Sequence, residues 1–245
     1  GCPTQFHDQT GVRYAAPALW ATLGQCAAAC RKSLDIDRRP VDEIAWVVDP
    51  DGPFHYGRRH PLTTDLVPRQ VRHLGRVGAP FGRYILEDFP AIPPHRLWIF
   101  AYAVDLDQTA VHALHDRLRR EGAVAVWLHA CGLVDGGNCD AANLARLTGL
   151  PVRADLEHAP TRVLFETGET TEFTGGVESG PTFSIEPGPD LEVLGRHADG
   201  RCAVALARMD GWTSVYAGVP GLPPGVLRVL ARRAGVHLYV DDDAA

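Results

Sequence analysis

Residues 96–130 read RLWIFAYAVDLDQTAVHALHDRLRREGAVAVWLHA and contain two apolar runs separated by an amphipathic segment. The runs at 96–105 and 123–130 are almost continuously apolar, which is typical of strands that are buried on both faces of a sheet. The stretch therefore predicts two neighbouring core strands joined by a crossover.

The crossover itself has the pattern of a helix. Residues 108–122 place Val111, Leu114 and Leu118 on one face, with Asp107 as a predicted N-cap and Gly122 as a predicted C-cap. A strand, a capped helix and a second strand in this order predict a parallel βαβ unit.

The same alternation continues on both sides of this unit. Strands are predicted at 43–49 (EIAWVVD) and 82–89 (GRYILEDF), and helices at 17–36, 65–78 and 140–149. Repeated strand and helix patterns predict an α/β fold, a doubly wound parallel sheet with both faces covered.

Residues 151–217 differ in character, with short β-rich runs broken by Gly, Pro and Asp. The dipeptide Asp210-Gly211 between the last two runs predicts a hairpin turn. We expect this β-rich insertion to extend or decorate the sheet, before a helix at 223–236 and a last strand, HLYV, at 237–240.

Composition excludes several classes of function. The chain has 245 residues, a formal net charge of -6, and Lys32 as its single lysine, so no nucleic-acid partner is expected. No apolar stretch approaches the ~20 residues of a membrane span and no signal pattern opens the chain, so no membrane partner is expected either. The chain begins at Gly1 rather than Met, which allows for a segment upstream.

The six cysteines form no CxxC pair and no regular framework, which favours a reducing, cytoplasmic compartment over a disulfide scaffold. Cys26 and Cys30 lie four residues apart on one helical face and are interpreted as small buried residues. The histidines are scattered, so we expect no metal and no cofactor.

Candidate site residues follow the predicted strands, because ligands of open α/β sheets bind outside the carboxyl ends of the strands. An alternative is that these acidic groups only cap the following helices. The candidates are Asp49, Asp51, His55 and Tyr56 after the first strand, Glu87 and Asp88 after the second, Asp105 after the third, and His129 after the fourth.

Three kinds of site that use residues at strand ends each need a particular residue pattern. A phosphoacceptor domain needs a lysine after a late strand, whereas Lys32 precedes the first strand, and a dinucleotide site needs Gly-x-Gly-x-x-Gly, which DPDGPFHYGRRH lacks. An amidotransferase nucleophile needs Gly-x-Cys-x-Gly, and Cys131 lacks both glycines at that spacing. His237 also lacks the His-x-Glu pattern, so we interpret Cys131 as a turn residue and predict no catalytic residue here.

The ordered set of motifs resembles a known family. DEIAWVVD, VGAPFGRYILEDF, RLWIFAYAVDL, GAVAVWLHACGLVDG, NLARLTGL and TSVYAGVPGLPPGVLRVLARRAGVHLYV are similar to the C-terminal part of bacterial glycoside hydrolases of the beta-galactosidase type. The resemblance runs from about residue 42 to residue 240. The preceding FHDQTGVRYAAP, residues 6–17, resembles the link that leaves the catalytic barrel.

The resemblance implies a flavodoxin-like domain of the class I glutamine-amidotransferase type, often called the trimerisation domain. It implies a linker and helix at 1–41, a domain at 42–245, and a non-catalytic role in assembly and in framing the active site. The implied partners are an upstream catalytic barrel, further copies of the chain, and carbohydrate. The carboxylate pair that such hydrolases need would belong to the barrel.

Two other functions stay open on the sequence. The chain could be a free-standing hydrolase or amidase that uses the strand-end residues, or a small-sugar binding module. Under the resemblance, we expect the loop DPDGPFHYG at 49–57 to lie nearest the substrate, because carboxylates and flat aromatic faces suit sugars.

Overall fold

The computed structural model describes residues 16–37, 39–57, 60–156, 158–159 and 161–240. The chain divides into two compact units, Gly1–Pro40 and Val41–Ala245. Residues 6–15 of the stretch that resembles a barrel link lie outside the described residues.

The first unit contains one helix, α1 (Pro17–Lys32), followed by the short 3-10 turn Ser33–Asp35. The predicted helix is thus confirmed, although its α-helical part ends before residue 36. None of its residues is buried, and Cys26 and Cys30 are both exposed. The expectation that these two cysteines are buried is therefore wrong for this chain.

The second unit carries the sheet and its helices. The helices are α2 (Leu62–Thr64), α3 (Gln70–Leu74), α4 (Gln108–Glu121), α5 (Ala141–Thr148) and α6 (Pro224–Arg233). The first seven strands are β1 (Ile44–Val48), β2 (Phe81–Ile85), β3 (Leu97–Ala101), β4 (Val124–Leu128), β5 (Val134–Asp135), β6 (Asn138–Cys139) and β7 (Val152–Asp155). The remaining strands are β8 (Arg162–Phe165), β9 (Thr170–Glu172), β10 (Thr182–Ile185), β11 (Leu191–His197), β12 (Cys202–Arg208) and β13 (Thr213–Ala217).

Eleven strands of the described residues form one mixed sheet in the order β2-β1-β3-β4-β13-β12-β11-β8-β9, with β10 and β7 attached beside β12. The five strands from β2 to β13 in that order are mutually parallel, and β12 reverses direction. The central sheet is therefore parallel, as predicted. The β-rich segment extends it with antiparallel strands, and β12 and β13 form the hairpin predicted around Asp210-Gly211.

Both faces of the parallel strands are buried. On one face Ile44, Ile99 and Val126 pack with apolar side chains of α3 and α6, and on the other Val47, Phe100 and Trp127 pack with side chains of α4 and α5. This burial explains the near-continuous apolar runs in the sequence. Helix α4 begins and ends at the predicted caps, since Asp107 accepts from the Ala110 N–H and Gly122 is left-handed.

Several predicted boundaries are wrong for identifiable reasons. The helix predicted at 65–78 starts at Leu62 and passes through a π-helical turn, Asp65–Arg69, because Pro68 lacks the N–H that a regular helix needs. The strand predicted at 237–240 does not form. The N–H groups of Tyr239 and Val240 both bond the Gly78 carbonyl instead of a neighbouring strand.

Helix α6 provides a test of the packing. Leu227 is fully buried against the sheet, whereas Val229 on the same helix is only partly buried. Leu227→Ala should lower the free energy of unfolding by about 2–5 kcal/mol, because it removes apolar burial and leaves a cavity. Val229→Ala, the matched control, should cost about 1 kcal/mol. Equal costs in urea denaturation would contradict this arrangement.

Candidate functional site

The carboxyl ends of the central strands are set by two unusual backbone conformations. β3 ends at Ala101 because Tyr102 has φ 61°, and β4 ends at Leu128 because His129 has φ 56°. Left-handed φ is uncommon for residues other than glycine and cannot continue a strand. The predicted runs at 96–105 and 123–130 are therefore longer than the strands. After each of these strands the backbone turns, at the edge where ligands of such sheets bind.

The loop after β1 is held by its own backbone and by β3. The Asp49 N–H bonds the Ala101 carbonyl, and the Asp49 carboxylate accepts from the Asp51 N–H at 2.9 Å. A Cβ on Gly52 would lie 2.0 Å from the Tyr102 carbonyl oxygen, so only glycine fits there. The loop then forms a 3-10 turn, Gly52–His55. Asp49 thus ties down its loop, and burial raises its pKa.

Tyr56 closes this loop by facing inward. Its hydroxyl lies 3.2 Å from His129 Nδ1, and its ring packs edge-on against Tyr102 at 5.5 Å and beside His60 at 5.9 Å. Burial raises the pKa of Tyr56 well above its ordinary value, so the hydroxyl keeps its proton and donates to His129. The loop after β1 is consequently joined to the end of β4.

His129 lies at the centre of this cluster and is buried. Its carbonyl accepts from the Tyr216 hydroxyl at 2.8 Å, its N–H bonds the Ala217 carbonyl at 2.7 Å, and its ring meets Phe183 edge-on. Burial lowers the pKa of His129 to about 3, with a smaller contribution from His60. At neutral pH the imidazole is therefore uncharged and accepts the Tyr56 hydrogen bond.

Cys131, two residues further on, has the environment of an inert thiol. It is buried, and its Sγ contacts the Phe100 carbonyl at 3.3 Å. Burial raises the pKa of Cys131 to about 12. A catalytic cysteine needs a lowered pKa and access to solvent, and Cys131 has neither.

The remaining predicted site residues are exposed. Asp51 and His55 flank Phe54, which is 85% exposed at the tip of the loop. The other three lie in different segments: Glu87 and Asp88 in a 3-10 stretch after the edge strand β2, and Asp105 four residues beyond the end of β3. The structure thus places Asp49, Asp51, His55 and Tyr56 in one loop, and only Tyr56 of these four joins that loop to His129.

Three members of the cluster were missed by the sequence analysis. Tyr102 and Tyr216 lie within apolar runs, where an aromatic residue has the pattern of ordinary core, and His60 follows a turn with no distinguishing spacing. Only the adjacency of the parallel strands β3, β4 and β13 places the two tyrosines near His129. No local pattern in the sequence encodes that adjacency.

Within the described ranges, no group of three or more His, Cys, Asp or Glu side chains is arranged to hold a metal ion. No helix among those residues is long and apolar enough to cross a membrane.

Comparison with known proteins gives a fold but no family. No family model matches the chain, and no curated protein matches it. Solved structures do match, at low identity. The catalytic mutant of a GH42 beta-galactosidase from G. stearothermophilus has a TM-score of 0.68 at 13% identity, over 95% of this chain and 36% of that chain.

Two further beta-galactosidases give the same result. The enzyme from Bacillus circulans sp. alkalophilus has a TM-score of 0.67 at 14% identity, over 96% of this chain and 36% of that one. The enzyme from the psychrophilic Marinomonas ef1 has a TM-score of 0.61 at 15% identity, over 90% and 34%. This chain spans about a third of the length of these proteins, and its fold is that of part of such enzymes.

The state of Cys131 can be tested by alkylation. With a pKa of about 12, only ~0.01% of this thiol is ionised at about pH 8. Iodoacetamide should therefore modify Cys131 at least roughly a hundredfold more slowly than the exposed Cys139 in the folded chain, measured by peptide mass mapping. Comparable rates at the two positions would show that Cys131 is activated.

The buried His129 predicts a pH dependence of stability. Its folded-state pKa lies below the ordinary 6.5, so the fold favours the neutral form. The stabilisation is complete above about pH 6.5 and declines as the pH falls towards 3, by about 1.4 kcal/mol per pH unit. His129→Asn, which tolerates left-handed φ, should make the stability slope between about pH 6 and pH 4 shallower by that amount. Identical slopes in the two proteins would disprove this.

Proposed function

We propose that this chain is the non-catalytic assembly and active-site-framing domain of a glycoside hydrolase of the beta-galactosidase type. The observation that carries the proposal is the extent of the structural match. Beta-galactosidase structures match 95–96% of this chain but only 36% of their own length. A domain of a larger enzyme accounts for this asymmetry, because the unmatched part of those enzymes has room for a catalytic barrel.

We assign the domain to the flavodoxin-like, class I glutamine-amidotransferase type. The order of the five parallel strands, β2-β1-β3-β4-β13, supports this assignment, since it is the 2-1-3-4-5 order of flavodoxin-like folds. The antiparallel strands of the β-rich insertion continue the sheet from its β13 edge.

The absence of catalysis by this domain is supported by the chemistry of its strand ends. An amidotransferase would need an ionisable cysteine and an accessible histidine, whereas the Cys131 thiol keeps its proton and His129 is enclosed by Tyr56, Phe183 and Tyr216. These groups stabilise the turns rather than attack a substrate.

The framing role is assigned to the tip of the loop at 49–57. The Asp51 carboxylate, the Phe54 ring and the His55 imidazole are exposed there, on a loop fixed by Asp49 and Tyr56. A fixed loop loses little entropy when it binds, and a carboxylate beside an aromatic face suits a sugar ring. Tyr56 positions the loop and does not itself contact the sugar.

The proposed partners follow from this role: a catalytic barrel of the same polypeptide, further copies of the chain, and a carbohydrate substrate. We propose a reducing, cytoplasmic compartment for the protein. Free thiols in the described part of the chain support this proposal, and they are Cys26, Cys30, Cys131, Cys139 and Cys202.

The framing role is tested in the complete gene product with an aryl beta-galactoside as substrate. Asp51→Ala and Phe54→Ala should each lower kcat/KM by about 5- to 150-fold, the equivalent of about 1–3 kcal/mol of transition-state binding. The melting temperature should not change, because both side chains are exposed.

Asp190→Ala is the matched control. This carboxylate is also exposed but lies in the turn before β11, at the opposite end of the sheet, so its removal should leave kcat/KM unchanged. If Asp51→Ala and Phe54→Ala behave like this control, the loop does not frame the site.

A further inference from the structure

His95 is a buried histidine with an oxygen atom close to each of its ring nitrogens. Its side chain is 1% exposed, and it lies just before β3. Its Nδ1 is 2.7 Å from the Pro93 carbonyl oxygen, and its Nε2 is 3.0 Å from the Asp42 carboxylate. Both distances are those of hydrogen bonds, so the ring is bonded at both nitrogens.

Neither neutral tautomer of His95 can make both of these hydrogen bonds. A neutral imidazole carries one N–H hydrogen, so its second nitrogen presents a lone pair. With the hydrogen on Nδ1, the bare Nε2 would face the Asp42 carboxylate, and with the hydrogen on Nε2, the bare Nδ1 would face the Pro93 carbonyl. Only the imidazolium donates at both positions.

The Tyr84 hydroxyl does not supply the missing hydrogen. It lies 3.4 Å from His95 Nε2, but it donates to the Asp42 carboxylate at 2.7 Å, and a hydroxyl has one hydrogen to give. Burial acts to raise the pKa of Asp42, but hydrogen bonds from His95 and Tyr84 outweigh it, and the pKa is lowered. Asp42 is therefore an ionised acceptor in this contact.

The charged groups around His95 balance only when its ring is protonated. Glu121, at the end of α4, accepts from the His95 backbone N–H at 3.3 Å, and its other oxygen accepts from Arg117 at 2.8 Å. The side chains of Asp42, Glu121 and Arg117 are 7%, 13% and 10% exposed. Two carboxylates and one guanidinium leave a negative charge unpaired, which is costly in a buried place. The imidazolium supplies the second positive charge.

These groups hold the link between β2 and β3. The two strands lie on either side of β1, so residues 86–96 have to cross β1, and a 3-10 stretch, Leu86–Ala91, stands there in place of an α-helix. Arg117 donates to the Phe89 and Ile92 carbonyls, and the His95 ring donates to the Pro93 carbonyl. Carbonyls that no helix satisfies need such donors when they are buried.

We infer that His95 is held as an imidazolium between the Asp42 carboxylate and the Pro93 carbonyl, and that this ion pair is a pH-sensitive contact that holds the link at 86–96. A group that keeps its proton in the folded state contributes stability at acid pH and loses that contribution as the pH rises. Loss of the ring proton places a lone pair against an oxygen and breaks one of the two hydrogen bonds. The inference does not depend on the proposed function.

Nitrogen NMR of the 245-residue chain tests the protonation state without any variant. At about pH 7, the shifts of both His95 ring nitrogens, read through the non-exchanging ring C–H protons, should be those of N–H groups. The buried His129 should show one N–H and one bare nitrogen in the same spectrum, because burial lowers its pKa. A bare ring nitrogen on His95 overturns the inference.

Two variants identify the group that holds the ring proton. Asp42→Asn removes the carboxylate and should leave His95 with one bare nitrogen at the same pH, because a buried imidazolium is costly without its counter-ion. Tyr84→Phe removes a hydroxyl that donates to Asp42 and not to the ring, so His95 should keep both N–H groups. The opposite response of either variant contradicts the inference.

The pH sensitivity is tested through His95→Gln, whose neutral amide cannot form an ion pair. The ratio of the folding equilibrium constants of the unmodified chain and this variant should fall at least about tenfold between about pH 6 and about pH 9, as His95 loses its proton. His129 is present in both proteins, so its own titration cancels. A ratio that stays constant over this range shows that the contact is not pH-sensitive.

His115→Gln is the matched control for this measurement. His115 makes one hydrogen bond, to the Leu147 carbonyl at 2.7 Å, and both the neutral and the charged ring can donate it. The corresponding ratio should therefore change much less than that of His95→Gln. An equal change in the two ratios contradicts a specific role of His95.

Hydrogen exchange shows whether the effect is confined to the link. The Ile92 N–H bonds the Asp88 carbonyl within the link at 3.1 Å. Its protection factor in the unmodified chain should fall at least about tenfold between about pH 6 and about pH 9, whereas that of the Val126 N–H in β4 should not. Unchanged protection of Ile92, or an equal loss at both amides, contradicts a contact that acts on the link.

Discussion

Burial of both faces of the central parallel strands is the constraint on which the rest of the molecule depends. Strands β1, β3 and β4 expose almost nothing to solvent, so helices must cover both sides of the sheet. These three strands carry no charged side chain, so the nearest charged residues along the chain lie beyond their ends. There, the left-handed turns at Tyr102 and His129 and the close approach of Gly52 to Tyr102 build a compact edge from residues of three separate segments.

The layered fold could be predicted because its determinants are local. Apolar runs predicted the strands, and Asp107 and Gly122 marked the ends of a helix through hydrogen bonds within a few residues. One failure is also local, since Pro68 interrupts the helix predicted at 65–78. Another involves a long-range contact. The 237–240 segment has the composition of a strand, but its N–H groups bond the distant Gly78 carbonyl. Four of the predicted residues share one loop because they are close in sequence, while Tyr102 and Tyr216 come near His129 only through strand pairing.

The polar groups at this edge of the sheet bond to other groups inside the protein. The Tyr56 hydroxyl bonds His129, the Tyr216 hydroxyl bonds the His129 backbone, and Cys131 contacts the Phe100 carbonyl. Buried in this way, the groups that an enzyme would use as base and nucleophile are neutral and inaccessible. What faces solvent is the tip of a fixed loop, with a carboxylate and an aromatic ring. This division is the basis of our proposal that the domain shapes a neighbouring site and does no chemistry itself.

The proposed absence of catalysis by this chain is tested by comparing turnover by the purified 245-residue chain with turnover by the complete gene product. Both are given an aryl beta-galactoside and glutamine, and the released phenol and ammonia are followed. We expect no release above the uncatalysed rate by the 245-residue chain with either substrate, and galactoside hydrolysis by the complete gene product. Turnover of either substrate by the 245-residue chain alone would contradict it.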